Sequence, residues 1–173
     1  MKREEGSYLV GVTVENKPGV LYRISNMFSR RDFNIESISV GSSEQEDVAR
    51  MTIAVNGDER TFEQVVKNLK KMIDVIKVSE LDPANSVVRE LALVKVNTPS
   101  SRERLDIIHY VDIFRGHAID VSSDSITIEL TGSPDKISAF VNSMKPFGIK
   151  EVARTGVTAL PRGSKSTKTE RKR

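Results

Sequence analysis

Only a few places in this 173-residue sequence gather side chains able to do chemistry. His109 and His117 are its two histidines and there is no cysteine, which excludes thiolate metal sites, cysteine nucleophiles and disulfides. Acid–base or metal work would need both histidines to meet a carboxylate. His109 falls on a predicted helix beside Ile108, and His117 opens a predicted strand after Gly116; surface or partner contacts account for both. Glu44, Glu46 and Asp47 read as a solvated acidic turn before they read as a metal site. No G-x-S-x-G, H-E-x-x-H, P-loop or G-x-G-x-x-G pattern occurs. The expectation is therefore no catalytic residue, no metal ligand and no cofactor in this chain, and a binding role instead.

The remaining candidate is Glu15-Asn16-Lys17-Pro18-Gly19-Val20-Leu21, at the junction of a predicted strand and helix. A helix N-terminus offers unpaired N–H groups and a partial positive charge, a combination that favours a carboxylate. Gly19 lets a ligand approach the backbone, Pro18 stiffens the entry, and Asn16 brings both donor and acceptor atoms. Taken alone, the same residues also read as ordinary capping and turn chemistry.

Around that loop the hydrophobic period alternates between two and 3.6. Tyr8, Val10, Val12 and Val14 mark a strand; Val20, Leu21, Ile24, Met27 and Phe28 mark a helical face ending near Arg30-Arg31. Phe33 to Val40 is a second strand whose phase shifts between Ile35 and Ile38, as a bulge would make it. Met51, Ile53 and Val55 mark a third strand, closed by the turn signal Asn56-Gly57. Phe62, Val65, Val66, Leu69, Met72 and Ile73 recur at helical spacing, and Val75 to Glu80 is a short strand.

After a linker at 81–85 the same order recurs. It comprises a strand at 87–96, a helix at 101–114 with Leu105, Ile108 and Val111 inward, and strands at 117–121 and 126–130. A helix from Pro134 with Ile137, Phe140, Val141 and Met144 inward, and a strand at 149–153, complete it. The expected class is α+β: two tandem ferredoxin-like βαββαβ domains at 7–82 and 83–160, followed by a disordered basic tail at 161–173.

Charge supports a non-nucleic-acid role. Of the 27 Lys and Arg and 24 Asp and Glu, residues 161–173 hold six bases and one acid, which leaves residues 1–160 with 21 bases against 23 acids. The body is mildly acidic and only the tail is basic, a solvated terminus or else a docking arm for an acidic partner. RNA binding on such a sheet needs strand aromatics, and the third strand, Val48 to Val55, has none. No apolar run reaches the roughly 18 residues of a membrane span, and Met1 to Ser7 lacks the apolar stretch of a secretory signal. A cytoplasmic chain is expected.

The stretch Val14 to Leu21, followed by Phe28-Ser29-Arg30-Arg31-Asp32-Phe33-Asn34-Ile35-Glu36-Ser37-Ile38-Ser39-Val40, resembles an ACT domain, and more narrowly that of acetolactate synthase small subunits. Arg50 to Ile53, Val75 to Leu81, Arg89 to Val96, Ile113 to Val121 and Glu151 to Gly156 extend the resemblance over about residues 7–163. The resemblance implies an N-terminal ACT domain that forms a homodimer by joining sheets side by side. It also implies a branched-chain amino acid effector, typically valine, at that interface. The implied partner is a catalytic large subunit carrying thiamine diphosphate, magnesium and FAD, which the small subunit activates and places under feedback inhibition. The implied effector site is Asn16, Gly19, Val20 and Leu21 from one protomer with Asn34 and Ile35 from the other. The rival readings are a free-standing ACT regulator of transcription or of another enzyme, and an enzyme on a ferredoxin-like fold.

Overall fold

Val10, Val12 and Val14 fall on one face of strand β1 (Gly6–Glu15). In the computed structural model, which describes residues 6–164, five elements follow: α1 (Val20–Ser29), β2 (Asn34–Ser42), β3 (Val48–Gly57), α2 (Glu59–Leu69) and β4 (Val75–Leu81). The strands form one antiparallel sheet in the order β2-β3-β1-β4. One core joins the β1 valines and Met51, Ile53 and Val55 of β3 to Ile24, Phe28, Val65 and Leu69 of the helices. The expected bulge is present. Pairing of β2 with β3 shifts between Ile35 and Ser37, so Glu36 is the extra residue.

The second half repeats the order as β5 (Ser86–Asn97), α3 (Ser101–Ile113), β6 (His117–Val121), β7 (Ser125–Gly132), α4 (Pro134–Met144) and β8 (Ile149–Arg154). Its sheet runs β6-β7-β5-β8, the same permutation as the first, and a short fifth strand, β9 (Thr158–Pro161), also pairs with β5. Val94, Val96, Ile126, Ile128 and Leu130 pack there against Ile107, Val111, Ile137, Phe140 and Met144. The α+β class with two ferredoxin-like repeats is thus the architecture observed.

Several expectations shift locally, each for an identifiable reason. Asn56-Gly57 is no turn. Both residues extend β3 opposite Ser7 and Gly6, and the chain turns at Asp58, whose carboxylate caps α2 by accepting the Thr61 N–H at 2.8 Å. α2 stops at Leu69 because the Lys71 and Met72 N–H groups reach back three residues, to Asn68 and Leu69. Ile73 therefore leaves the helical phase and stands 95% exposed. Leu81 belongs to β4 and is buried, which shortens the linker to Asp82 and a single 3-10 turn at Pro83–Asn85.

On α3 the buried positions are Ile107 and Val111, while Leu105 and Ile108 face out. Apolar residues lie on both sides of that helix, and ring contacts of Tyr110 with Phe147 and of Phe114 with Phe140 decide which side turns inward.

The chain's two compact units also divide differently from the expected boundaries. One runs through Val87 and resumes from Gly156; the other is Val88–Thr155. The cause is a strand that the sequence pattern did not announce, β9 (Thr158–Pro161). In the first unit the Ala159 N–H donates to Thr52 Oγ1 at 3.3 Å, and Thr158 Oγ1 lies 3.1 Å from Ser39 Oγ. Val157 and Ala159 are buried there. Residues 156–161 thus pack with the first unit, while β9 takes its strand pairing from β5. Pro161 is strand, and residues 165–173 of the expected tail lie outside the described residues.

Gly156 makes this seating testable. A Cβ at that position would stand 2.7 Å from the Ile38 carbonyl oxygen and 2.8 Å from its carbon, and backbone cannot swing aside. Gly156→Ala should cost about 1–3 kcal/mol, seen as a lower urea midpoint. A variant as stable as the parent chain would mean that residues 156–161 do not sit on the first sheet.

Candidate functional site

The strand-to-helix loop is held by backbone where it leaves β1. The Glu15 N–H donates to the Asp74 carbonyl at 3.0 Å and the Asn16 N–H to the Asp47 carbonyl at 2.8 Å. Asn16, Lys17, Pro18 and Gly19 are all exposed. Gly19 takes φ of 83°, in the left-handed region that glycine enters without steric cost, and it stands at the N-cap of α1. No side chain caps this helix. Asp58, Ser100 and Ser133 do cap α2, α3 and α4. The first turn of α1 thus keeps its positive end with no side-chain acceptor, beside an exposed asparagine.

Of the predicted site residues, Val20 is buried in the core and has only its backbone to offer the loop, whereas Leu21 is 43% exposed. Asn34 is exposed and Ile35 is half-buried against the core. A single chain does not bring the two groups together. Asn34 pairs opposite Asn56, which pairs opposite Ser7, whereas Glu15 pairs opposite Val48. Eight residues of β1 separate those two levels, about 27 Å at strand rise.

Two residues that sequence reasoning missed organise the loop. Arg23 lies on α1 one turn beyond Gly19 and grips Asp74 with both arms: Nε to Oδ2 at 2.6 Å and Nη2 to Oδ1 at 2.8 Å. Its Nη1 is 3.0 Å from where a Gly19 Cβ would stand, so the guanidinium lies against the loop backbone. The partners are 51 residues apart in sequence, and no local spacing signals such a pair. The Arg23 hydrogen bond holds the Asp74 carboxyl below the usual aspartate range, and Asp74 in turn raises Arg23. Lys17 is raised by its hydrogen bond from Nζ to Glu15 Oε2 at 2.9 Å. The loop's neighbourhood therefore carries firmly ionised groups of both signs, as a zwitterionic ligand would meet.

The other candidates stay apart. His109 borders a shallow depression on α3 with Asp106, Tyr110, Ile113 and Phe147, whereas His117 opens β6 opposite Glu129. Glu44 lies 3.9 Å from Arg50. Among the described residues no group of three or more His, Asp or Glu side chains is placed to hold a metal ion.

Two family models match the chain. The one described as an AHAS small subunit-like ACT domain covers residues 10–77, and the one described as the small subunit of acetolactate synthase covers residues 89–163. A probable acetolactate synthase small subunit of Methanothermobacter thermautotrophicus is 52% identical over 96% of this chain and 99% of its own length. The acetolactate synthase small subunit of Aquifex aeolicus is 48% identical over 93% of this chain and 84% of its own.

The chain belongs to the acetolactate synthase small subunit family. The crystal structure of the small subunit from Thermotoga maritima, 43% identical, superposes with a TM-score of 0.86 over 92% of this chain and 99% of that one. As a member of a regulatory small-subunit family, the chain carries its whole candidate loop within the span matched as an ACT domain, with Arg23, Asn34, Ile35 and Asp74. The second matched span reaches residue 163 and so takes in β9 as well as β5, the strand it pairs with.

The Arg23–Asp74 pair predicts a pH dependence. The folded chain favours the ionised carboxyl. Its contribution is therefore present above the ordinary aspartate pKa of about 3.9 and is lost as pH falls through the lowered folded value. Asp74→Asn should be less stable than the parent at neutral pH and lose less on acidification below about pH 4. Urea midpoints on both sides of that pH measure the difference. Parallel curves would show that the pair is an incidental surface contact.

Proposed function

We propose that this chain is a regulatory subunit of acetolactate synthase that binds a branched-chain amino acid, valine first, at an interface between two ACT domains. It activates a catalytic large subunit and places it under feedback inhibition. In this reading it works in the cytoplasm, with no nucleic-acid or membrane role and no cofactor of its own, while the large subunit holds the thiamine diphosphate, magnesium and FAD. The observation that carries the reading is the α1 N-terminus, open at Gly19, free of a side-chain cap, and flanked by the exposed Asn16. Its N–H groups would take the effector's carboxylate, and Asn16 would pair with the charged ends.

The separation of Asn16 from Asn34 favours a shared site. β2 is an edge strand, so its outer backbone groups can pair with another β2. A two-fold axis makes such pairing antiparallel, and with the axis at Ile38, the middle of β2, residue 34 of one copy would lie level with residue 42 of the other. Ser42 pairs opposite Ala49, which pairs opposite Val14, at the loop's end of the sheet. Asn34 and Ile35 of a second copy would then approach the loop that their own chain keeps about 27 Å away. Ile35 and the exposed flank of Leu21 would enclose the branched side chain.

Asn16→Ala should lower valine affinity by roughly 5- to 150-fold, the loss of about 1–3 kcal/mol for hydrogen bonds to charged groups, while activation of the large subunit survives. Calorimetric titration with valine, leucine and isoleucine, with and without the large subunit, reads both. Unchanged valine inhibition in the variant would sink the site. Failure to co-purify with a thiamine-diphosphate large subunit would favour a free-standing sensor.

A further inference from the structure

At the end of the first sheet opposite the effector loop, the N-terminus of β1, the first two turns of α2 and the end of β4 enclose an open groove. Its floor is aromatic: Tyr8 and Phe62 stack at 4.9 Å between ring centroids, with planes 16° apart. Four carboxylates, Glu59, Glu63, Glu80 and Asp82, line it and no Lys or Arg does, although Glu63 also meets Lys67 Nζ at 3.4 Å. The volume, about 460 Å³, has the scale of sites that hold several side chains.

We propose that this groove seats the chain's own basic C-terminal segment, residues 165–173. Two independent observations point to that occupant. The first is charge. Residues 165–173 carry Lys165, Lys168, Arg171, Lys172 and Arg173 against the single acid Glu170, a net of +4 in a chain whose first 160 residues are net negative. A groove with four acids and an aromatic floor offers ion pairs at its rim and faces for guanidinium stacking.

The second is where the chain leaves. The Arg162 N–H donates to the Asn85 carbonyl at 2.9 Å, and the Asn85 amide in turn reaches Asp82 Oδ2 at 2.5 Å. Asp82 and Pro83 are walls of the groove. The basic segment thus starts three residues past a backbone anchor that is itself bonded to the groove's rim. Nine residues reach about 30 Å when extended, more than enough to lie along it. Tethering gives the segment a high effective concentration, so individually weak ion pairs suffice.

The absence of cysteine makes a direct test available. A nitroxide on Ser166→Cys in the full-length, nitrogen-15-labelled chain should broaden the amides of Tyr8, Phe62 and Leu81 selectively. The broadening should vanish at about 1 M salt, where the Debye length is about 3 Å, and in the variant Glu59→Gln/Glu63→Gln/Glu80→Gln. A second variant with glutamine at the five tail bases leaves the groove intact and should also abolish it. Broadening that is absent, or spread evenly over the surface, overturns the proposal. So does broadening in a mixture of unlabelled spin-carrying chains with nitrogen-15 chains, which would give the groove to another copy's tail. None of these outcomes depends on valine binding, so this inference and the proposed function stand or fall separately.

Discussion

Burial of β1 on both faces is the constraint on which the first unit depends. Every residue from Leu9 to Val14 is buried, although only the valines face the helical core. A strand in that position must be interior to its sheet, and β1 lies between β3 and β4. Burying each valine contributes about 1.5–3 kcal/mol, so a register slip, which would exchange the two faces, is strongly disfavoured. The second face needs a cover as well. Thr52, on the neighbouring strand, is 3% exposed and accepts its hydrogen bond from β9. The C-terminal strand is therefore part of the first unit's structure, not a trailing segment.

That constraint also sets where a ligand loop can exist. β1 ends at Glu15 and α1 begins at Val20, so the four residues between must leave the buried sheet and turn into a helix. Gly19 accomplishes the turn with positive φ and leaves the helix without a side-chain cap. Asp74 links three elements there, its carbonyl accepting from the last residue of β1 and its carboxylate holding Arg23 of α1 just ahead of β4. Asp74 is buried whereas Arg23 is 45% exposed, so solvent screens the pair only from one side. Its bidentate geometry fixes where the first turn of α1 sits relative to the sheet.

The repeated element order was legible in the sequence because strands and helices here bury one face, and one buried face writes its period into the residues. The bulge at Glu36 was legible for the same reason, as a break in that period. Where burial departs from one face, the pattern went silent. α3 carries Leu105 and Ile108 on one side and Ile107 and Val111 on the other, and tertiary ring contacts choose between them. β9 has four residues with a proline at its end, too short for any period to emerge. At the candidate site the loop was visible through Asn16, Pro18 and Gly19. Arg23 and Asp74 were not, because nothing in either local segment encodes a partner 51 residues away.

The distance between Asn16 and Asn34 carries a consequence for regulation under the proposed function. A ligand held by one chain's loop alone would bind paired and unpaired chains equally and could shift no equilibrium between them. A ligand held by the loop of one copy and β2 of another prefers the pair, and through mass action strengthens it. At a concentration one hundred times its Kd, each occupied site would add about 2.7 kcal/mol to the paired form. A two-fold arrangement contains two such sites, each built from opposite ends of the two β2 strands. Effector sensing and assembly would then be one equilibrium, and the strand-length gap between the half-sites is what couples them.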